Sequence, residues 1–141
     1  MQFVCDAPGR KTWFRIEAEA EAAQESEAMR HAVEKYFRRE YEKARNSYQP
    51  AHSASIERDI GLRAHIQRTM PLFLTLRDHE GERLATAMLP PQGRDDGSFS
   101  IIIVGPGNAD PYPAEGDAIE ALGKHFGFAL PRERCYPYKR N

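Results

Sequence analysis

The sequence predicts an α+β fold in which a mainly antiparallel sheet carries one long and one short helix on one of its faces. Three observations predict this fold: a hairpin near the beginning of the chain, one long amphipathic segment, and a series of short apolar segments separated by turns. The predicted order is β-β-α-β-β-β-β-α, with five or six strands. Short links between neighbouring strands favour antiparallel pairing.

The first predicted element is a hairpin over residues 2–18. Pro8 and Gly9 supply the second and third positions of a type II turn. Beyond this turn, apolar and polar side chains alternate from residue 14 to residue 18. Such alternation is typical of a half-buried strand.

A long helix is predicted from residue 20 to residue 47. Apolar side chains recur there at spacings of three, four or seven, with no Gly or Pro between them. Glutamates precede the segment, and Lys43 and Arg45 close it, which suits the helix dipole at both ends. At 1.5 Å per residue the helix would be about 42 Å long. Because a strand of six residues is shorter, we expect one end of the helix to protrude.

The middle of the chain predicts further strands. Apolar residues at even positions predict a strand near 58–68. Residues 72–77 and 82–89 flank a four-residue connection that ends in Gly81, and they predict a second hairpin.

The last third of the chain predicts one strand and one short helix. Residues 99–104 are almost continuously apolar, as expected for a central strand that is covered on both faces. Pro113 suits the first position of the second helix, and Gly127 suits its end. We expect residues 1–141 to form a single domain, in which the tail at 131–141 could be flexible.

Composition restricts the class of protein. The 141 residues are 40% hydrophobic and 29% charged, which is enough apolar material for a core. The net charge of -1 removes the whole-molecule attraction that a typical nucleic-acid binder uses. No leader pattern and no run approaching 18 apolar residues occurs, so we expect a cytoplasmic protein without membrane contact. We expect Cys5 and Cys135 to be reduced thiols, with a bridge between them as the alternative.

The sequence contains no recognisable catalytic or metal-binding motif. The CxxC and HxxxH spacings of metal sites are absent, and neither cysteine lies in a catalytic motif, so we expect no metal and no cofactor. No catalytic residue is assigned. An enzyme remains the third hypothesis, with a site at the glycine-rich 105–112 loop that includes Asp110 or Tyr112.

The leading hypothesis is a non-enzymatic interaction or regulatory protein of the accessory type. Its partner would be another protein or a second copy of this chain, bound through the long helix. Aromatic side chains are enriched at protein interfaces. The predicted protein-binding residues are Tyr36, Arg38, Tyr41 and Tyr48.

The second hypothesis is a small nucleic-acid-binding protein. It depends on a local basic patch formed by the end of the long helix and the C-terminal tail. The residues of this patch would be Arg38, Arg39, Lys43, Arg45, Arg132, Arg134, Lys139 and Arg140. A solvated row of charges at i,i+4 spacing is the simpler interpretation of the helical part.

Overall fold

The computed structural model describes residues 1–49 and 55–136, and over these residues the α+β prediction is confirmed. Five antiparallel strands lie in the sheet in their chain order. The strands are β1 (Gln2–Ala7), β2 (Lys11–Ile16), β3 (Leu72–Arg77), β4 (Arg83–Leu89) and β5 (Ile102–Val104). The helices are α1 (Glu19–Met29), α2 (Val33–Asn46), α3 (Ser55–Thr69) and α4 (Tyr112–Phe126).

Both predicted hairpins are present. The link between β1 and β2 contains Gly9 at φ +81°, in the left-handed region that glycine adopts without steric cost. In the link between β3 and β4, the carboxylate of Asp78 accepts the N–H groups of Glu80 and Glu82, each at 2.9 Å. Gly9 and Asp78 therefore act in these two turns as their local sequence predicts.

The prediction of one continuous helix over 20–47 is wrong, because the chain breaks between α1 and α2. Arg30 adopts a left-handed backbone with φ 55°, and its N–H donates to the carbonyl of Ser26. The Ser26 hydroxyl in turn accepts the N–H of Glu34 at 2.8 Å. Ser26 thus accepts a backbone N–H group at the end of α1 through its carbonyl and another at the beginning of α2 through its hydroxyl.

The break is not visible in the apolar periodicity, because the spacing of buried side chains in α1 continues into α2. Met29, Val33 and Phe37 are all buried and follow one another at spacings of four. The 14 residues of α2 span about 21 Å, close to the roughly 20 Å of a six-residue strand. The predicted overhang of a long helix, which motivated the interaction hypothesis, is therefore not present.

The prediction of a strand at 58–68 is also wrong, because this segment belongs to α3. Its half-buried positions include Gly61, Leu62, His65 and Ile66, which is the i, i+1, i+4, i+5 spacing of a helix face. Even-numbered apolar positions include pairs that are four residues apart, so they fit a helix as well as a strand.

Helices cover both faces of the sheet, so the prediction that all helices lie on one face is wrong. Successive side chains of a strand point to opposite faces. On the face that we call the α4 face, the core includes Trp13, Leu74, Leu76, Ala87, Ile103, Ile119 and Leu122. On the opposite face, which we call the α2 face, it includes Ile16, Ala22, Val33, Phe37, Met70 and Phe73.

The apolar segment 99–104 forms an edge strand rather than the predicted central strand. Within it, β5 pairs with β4 and lies at the end of the sheet order. The N–H of Tyr136 donates to the carbonyl of Ile101 at 2.7 Å, and Tyr136 forms a parallel bridge with Ile102. Ile101 and Ile103 belong to the core of the α4 face and Val104 is buried as well, which explains much of the hydrophobicity of this segment.

The short helix agrees with its prediction. Pro113 lies in the first turn of α4, and Gly127 ends the helix at φ 87°. Among the helices that the structure describes, none has the length and apolar character needed to cross a membrane.

Candidate functional site

A cavity of about 270 Å³ lies on the α2 face, between the beginning of α2 and strands β4 and β5. Its wall is mainly apolar and includes Val33, Phe73, Met88, Ile102 and Val104. Its polar lining residues are His31, Thr86 and Asn108, and the partly exposed Tyr36 and Tyr136 line it together with Ala32 and Ala87. We call this space the α2 cavity.

Local structure places the polar residues of the cavity. Thr86 and Met88 alternate along β4 with alanines of the α4 face, so both point toward α2. The break after α1 places His31 beside the same strand. The short 3₁₀ turn Pro106–Asn108 follows β5 and brings Asn108 to the cavity.

Hydrogen bonds determine the tautomer of His31. Thr86 Oγ1 lies 2.8 Å from His31 Nε2 and donates to Glu25 Oε2 at 2.6 Å. A carboxylate only accepts and a hydroxyl has one hydrogen, so His31 must donate from Nε2. Nδ1 is then the acceptor, which agrees with the N–H of Val33 pointing at it from 3.4 Å.

Glu25 ends this chain of hydrogen bonds inside the protein. Its side chain is fully buried, and Oε1 accepts from Arg83 Nε at 2.8 Å. Arg77 Nη2 lies 3.9 Å from the same oxygen. Two guanidinium groups therefore compensate the carboxylate, as a buried charge requires. These contacts link α1 to strands β3 and β4.

The hydrogen bonds of His31 and Thr86 do not support nucleophilic chemistry at Thr86. Burial lowers the pKa of His31, although the charge of Glu25 opposes this shift, so the neutral ring is favoured. In a nucleophilic pair the imidazole accepts the proton of the hydroxyl. Here the imidazole donates and the Thr86 proton belongs to Glu25, so the arrangement does not activate Thr86 as a nucleophile.

The four predicted protein-binding residues do not lie on one surface. Tyr36 lines the α2 cavity, whereas Tyr41 follows five residues later, about 140° further around α2. Arg38 pairs with Glu19 at 2.6 Å and with Glu34 at 2.8 Å. The ring of Tyr48 packs against that of His65, with centroids 5.3 Å apart.

The predicted basic patch divides into two parts. Its helical residues belong to α2, whereas Arg132 and Arg134 lie between Leu130 and Cys135, which both pack in the core of the α4 face. Arg132 pairs with Asp110 at 2.7 Å, and Arg134 pairs with Asp95 at 2.5 Å. Lys139 and Arg140 lie outside the described residues. Nucleic-acid binding stays a prediction, with fewer uncompensated cations than the sequence suggested.

The 105–112 loop contributes one residue to the cavity, Asn108. Asp110 instead accepts from the N–H of Tyr112 at 3.0 Å and from Arg132. The Tyr112 hydroxyl donates to the carbonyl of Leu130 at 3.2 Å, and burial raises the pKa of this phenol. These contacts stabilise the beginning of α4.

Cys5 and Cys135 are free thiols, as the first of the two alternatives states. Burial raises the pKa of both, which disfavours the reactive thiolate form. Within residues 1–49 and 55–136, no group of three or more His, Cys, Asp or Glu side chains is arranged to hold a metal ion.

The network of Glu25, His31 and Thr86 was not predicted from the sequence. One signal could have indicated part of it: Glu25 lies three residues after Ala22 and four before Met29, on the apolar stripe of α1. A carboxylate on such a stripe indicates a buried charge that needs partners. Nothing local identifies Thr86, which is 61 residues away from Glu25.

Comparison with protein families, curated proteins and solved structures finds no match to this chain.

Proposed function

We propose that this protein binds a small, mostly apolar ligand in the α2 cavity. The observation that carries this proposal is the convergence of three polar residues, His31, Thr86 and Asn108, on a cavity whose wall is otherwise largely apolar. Binding sites for small molecules combine an apolar lining with a few placed polar groups.

The size of the cavity limits the ligand. Its volume of about 270 Å³ exceeds the ~150 Å³ in which benzene binds and approaches the ~300 Å³ lower limit of typical ligand sites. A single ring with a short substituent, or a short acyl chain, is of suitable size. The hydrogen bonds from Val33 to His31 and from His31 to Thr86 hold the polar side before a ligand arrives. Such preorganisation lowers the entropic cost of binding.

A fragment screen with a blocking variant tests the proposal. Ala32 is the exposed N-cap residue of α2 and lines the cavity. The variant Ala32→Phe should therefore fill the cavity without disturbing the core. Ala20→Phe places the same side chain at an exposed position of α1, away from the cavity lining, and serves as the matched control.

Amide NMR spectra would be recorded for the wild type and both variants with a library of single-ring and short-chain compounds. We expect compounds that shift the amide signals of Val33, Met88 and Val104 in the wild type and in Ala20→Phe, but not in Ala32→Phe. If no compound shifts these signals, or if the same shifts persist in Ala32→Phe, the proposal is wrong.

A second candidate function is protein binding through α2. It is favoured by the exposure of Tyr36 and Tyr41, which keep 36% and 38% of their surface accessible. Because they lie on different sides of α2, one of them should dominate any interface. Sedimentation of the wild type, Tyr36→Ser and Tyr41→Ser over a range of concentrations tests binding to a second copy. If the wild type forms a dimer and one of the variants does not, protein binding through α2 is supported. If all three proteins are monomers, a second copy of the chain is not the partner.

A further inference from the structure

We infer that the ligand of the α2 cavity is a small apolar carboxylic acid, bound with its carboxylate at the mouth and its apolar part inside. This inference rests on the proposed ligand-binding function and adds the charge of the ligand to it. Three positively polarised groups lie beside residues that line the cavity or on those residues, and none of the lining residues that the structure describes is acidic.

The first group is the guanidinium of Arg30, which precedes the cavity residue His31. Its Nη2 lies 3.9 Å from the position that a Cβ on Gly107 would occupy. The arginine therefore lies beside the 3₁₀ turn that carries the lining residue Asn108. Arg30 is exposed, so its charge is available to a ligand.

The second group is the guanidinium of Arg39, beside the lining residue Tyr36. Its Cζ lies 5.0 Å from the centroid of the Tyr36 ring, and Tyr36 lines the cavity. Such a cation–π contact holds the charge near the ring without neutralising it. Within the described part of the chain, neither Arg30 nor Arg39 forms an ion pair with a carboxylate, in contrast to the neighbouring Arg38.

The third group is the N-terminus of α2 itself. Ala32 and Val33, where this 14-residue helix begins, both line the cavity. The partial positive charge of a helix N-terminus favours an anion nearby. The negative charge behind the cavity, on Glu25, is already compensated by Arg83 and Arg77 and offers little opposition.

The apolar wall limits where the carboxylate can bind. Phe73, Met88 and Ile102 offer no hydrogen bond to it, so burying the anion among them would be costly. The orientation with the anionic end outward and the apolar end inward satisfies both parts of the molecule. A ring or short chain that ends in a carboxylate has this chemistry and the required size.

Three compounds of one shape test the charge of the ligand: phenylacetate, the neutral phenylacetamide and the cationic phenethylamine. Their affinities would be measured by calorimetry at low and high salt, and their site by the amide shifts described above. We expect phenylacetate to bind about fivefold more tightly than phenylacetamide at low salt, and the cation to bind least. Salt should reduce the difference because the charges at the mouth are exposed.

Two double variants, each of which removes two positive charges, test whether Arg30 and Arg39 cause the preference for the acid. Arg30→Gln/Arg39→Gln should remove most of the preference for the acid, because only the partial charge at the N-terminus of α2 remains, and should leave the affinity for phenylacetamide unchanged. Lys43→Gln/Arg45→Gln removes two charges at the far end of α2 and should keep the preference.

The outcomes separate this inference from the proposed function. If acid and amide bind equally in the cavity, or if the preference is as large in Arg30→Gln/Arg39→Gln as in the wild type, the inference is wrong and ligand binding stands. The inference is also wrong if neutral fragments bind in the cavity and phenylacetate does not. If neither the three compounds nor the fragment library binds there, both proposals fail.

Discussion

The imidazole of His31 and the hydroxyl of Thr86 lie 2.8 Å apart, although 55 residues separate them in the chain. This hydrogen bond joins the break between α1 and α2 to strand β4. Because Thr86 also donates to Glu25, the same network holds the last turns of α1 against the sheet. One set of hydrogen bonds therefore joins the residue that follows α1 to the polar side of the α2 cavity.

The two threonines that face each other across β3 and β4 should respond differently to the same substitution. Thr86→Val removes a partner of Glu25 and of His31, and we expect a loss of about 2 kcal/mol in the free energy of unfolding. Thr75, its cross-strand neighbour, is buried with a hydroxyl that has no partner among the described residues. Thr75→Val should leave stability unchanged or raise it. Urea unfolding measures both, and equal losses would contradict the role of the network.

Protonation of His31 should lower the free energy of unfolding as the pH falls. Burial lowers the pKa of His31 below its ordinary 6.5, so below that pH the unfolded chain binds more protons than the folded protein. The free energy of unfolding therefore decreases as the pH falls from 6.5 toward the lowered pKa. His31→Gln should flatten this dependence, and His125→Gln, at an exposed position on α4, should retain it. Urea unfolding between about pH 5 and pH 8 gives the slopes. A slope that is the same in His31→Gln and in the wild type would refute this assignment.

Two glycines of α4 should give opposite results when replaced by alanine. A Cβ on Gly123 would lie 2.5 Å from the carbonyl oxygen of Phe128, whose own N–H caps the helix by bonding to Gly123. Gly123→Ala should therefore cost about 1–3 kcal/mol, as overpacking does. A Cβ on Gly116 meets nothing within 4 Å, and alanine there should stabilise the helix by up to about 1 kcal/mol. Thermal unfolding measures both variants. If Gly123→Ala is more stable than the wild type, the carbonyl of Phe128 does not exclude a Cβ at position 123, and the prediction is wrong.

The pair Asp95 and Arg134 should be visible in a carboxyl titration. Hydrogen bonds from Arg134 lower the pKa of Asp95 from 3.8 to about 2. A lowered pKa means that the pair contributes stability above pH 3.8, and that this contribution is lost as the pH falls toward 2. Arg134→Gln should raise the pKa of Asp95 toward its ordinary value, whereas Arg94→Gln should have little effect. An unchanged pKa in Arg134→Gln, measured by carboxyl NMR, would contradict this account.

Elements defined by local chemistry were predicted well. The hairpin around Gly9, the hairpin around Asp78 and the end of α4 at Gly127 all depend on residues that are close in the sequence. The break after α1 contains no Gly or Pro, so the pattern of apolar residues continued through it. The segment 58–68 was assigned to a strand because its apolar residues lie at even positions. Such positions are two or four residues apart and therefore fit a strand and a helix alike.

The candidate site was predicted only in part. The 105–112 loop was identified as a place for a pocket, and Asn108 does line the α2 cavity. Tyr36 also lines it, although it was selected for protein binding. Glu25, His31 and Thr86 were not identified, because no short-range spacing relates them. Thr86 lies in an otherwise ordinary strand, and its partners become visible only when α1 packs on β4.

The sequence by itself determined the α+β class, the antiparallel hairpins and the apolar segments that form the core. These features follow from propensity and periodicity, which act over a few residues. Only the tertiary structure decided which face each helix covers, where the long amphipathic segment breaks, and which polar side chains meet at the cavity. The physical reason is that a buried charge such as Glu25 must find partners in space, and β4 supplies them from 58 and 61 residues away.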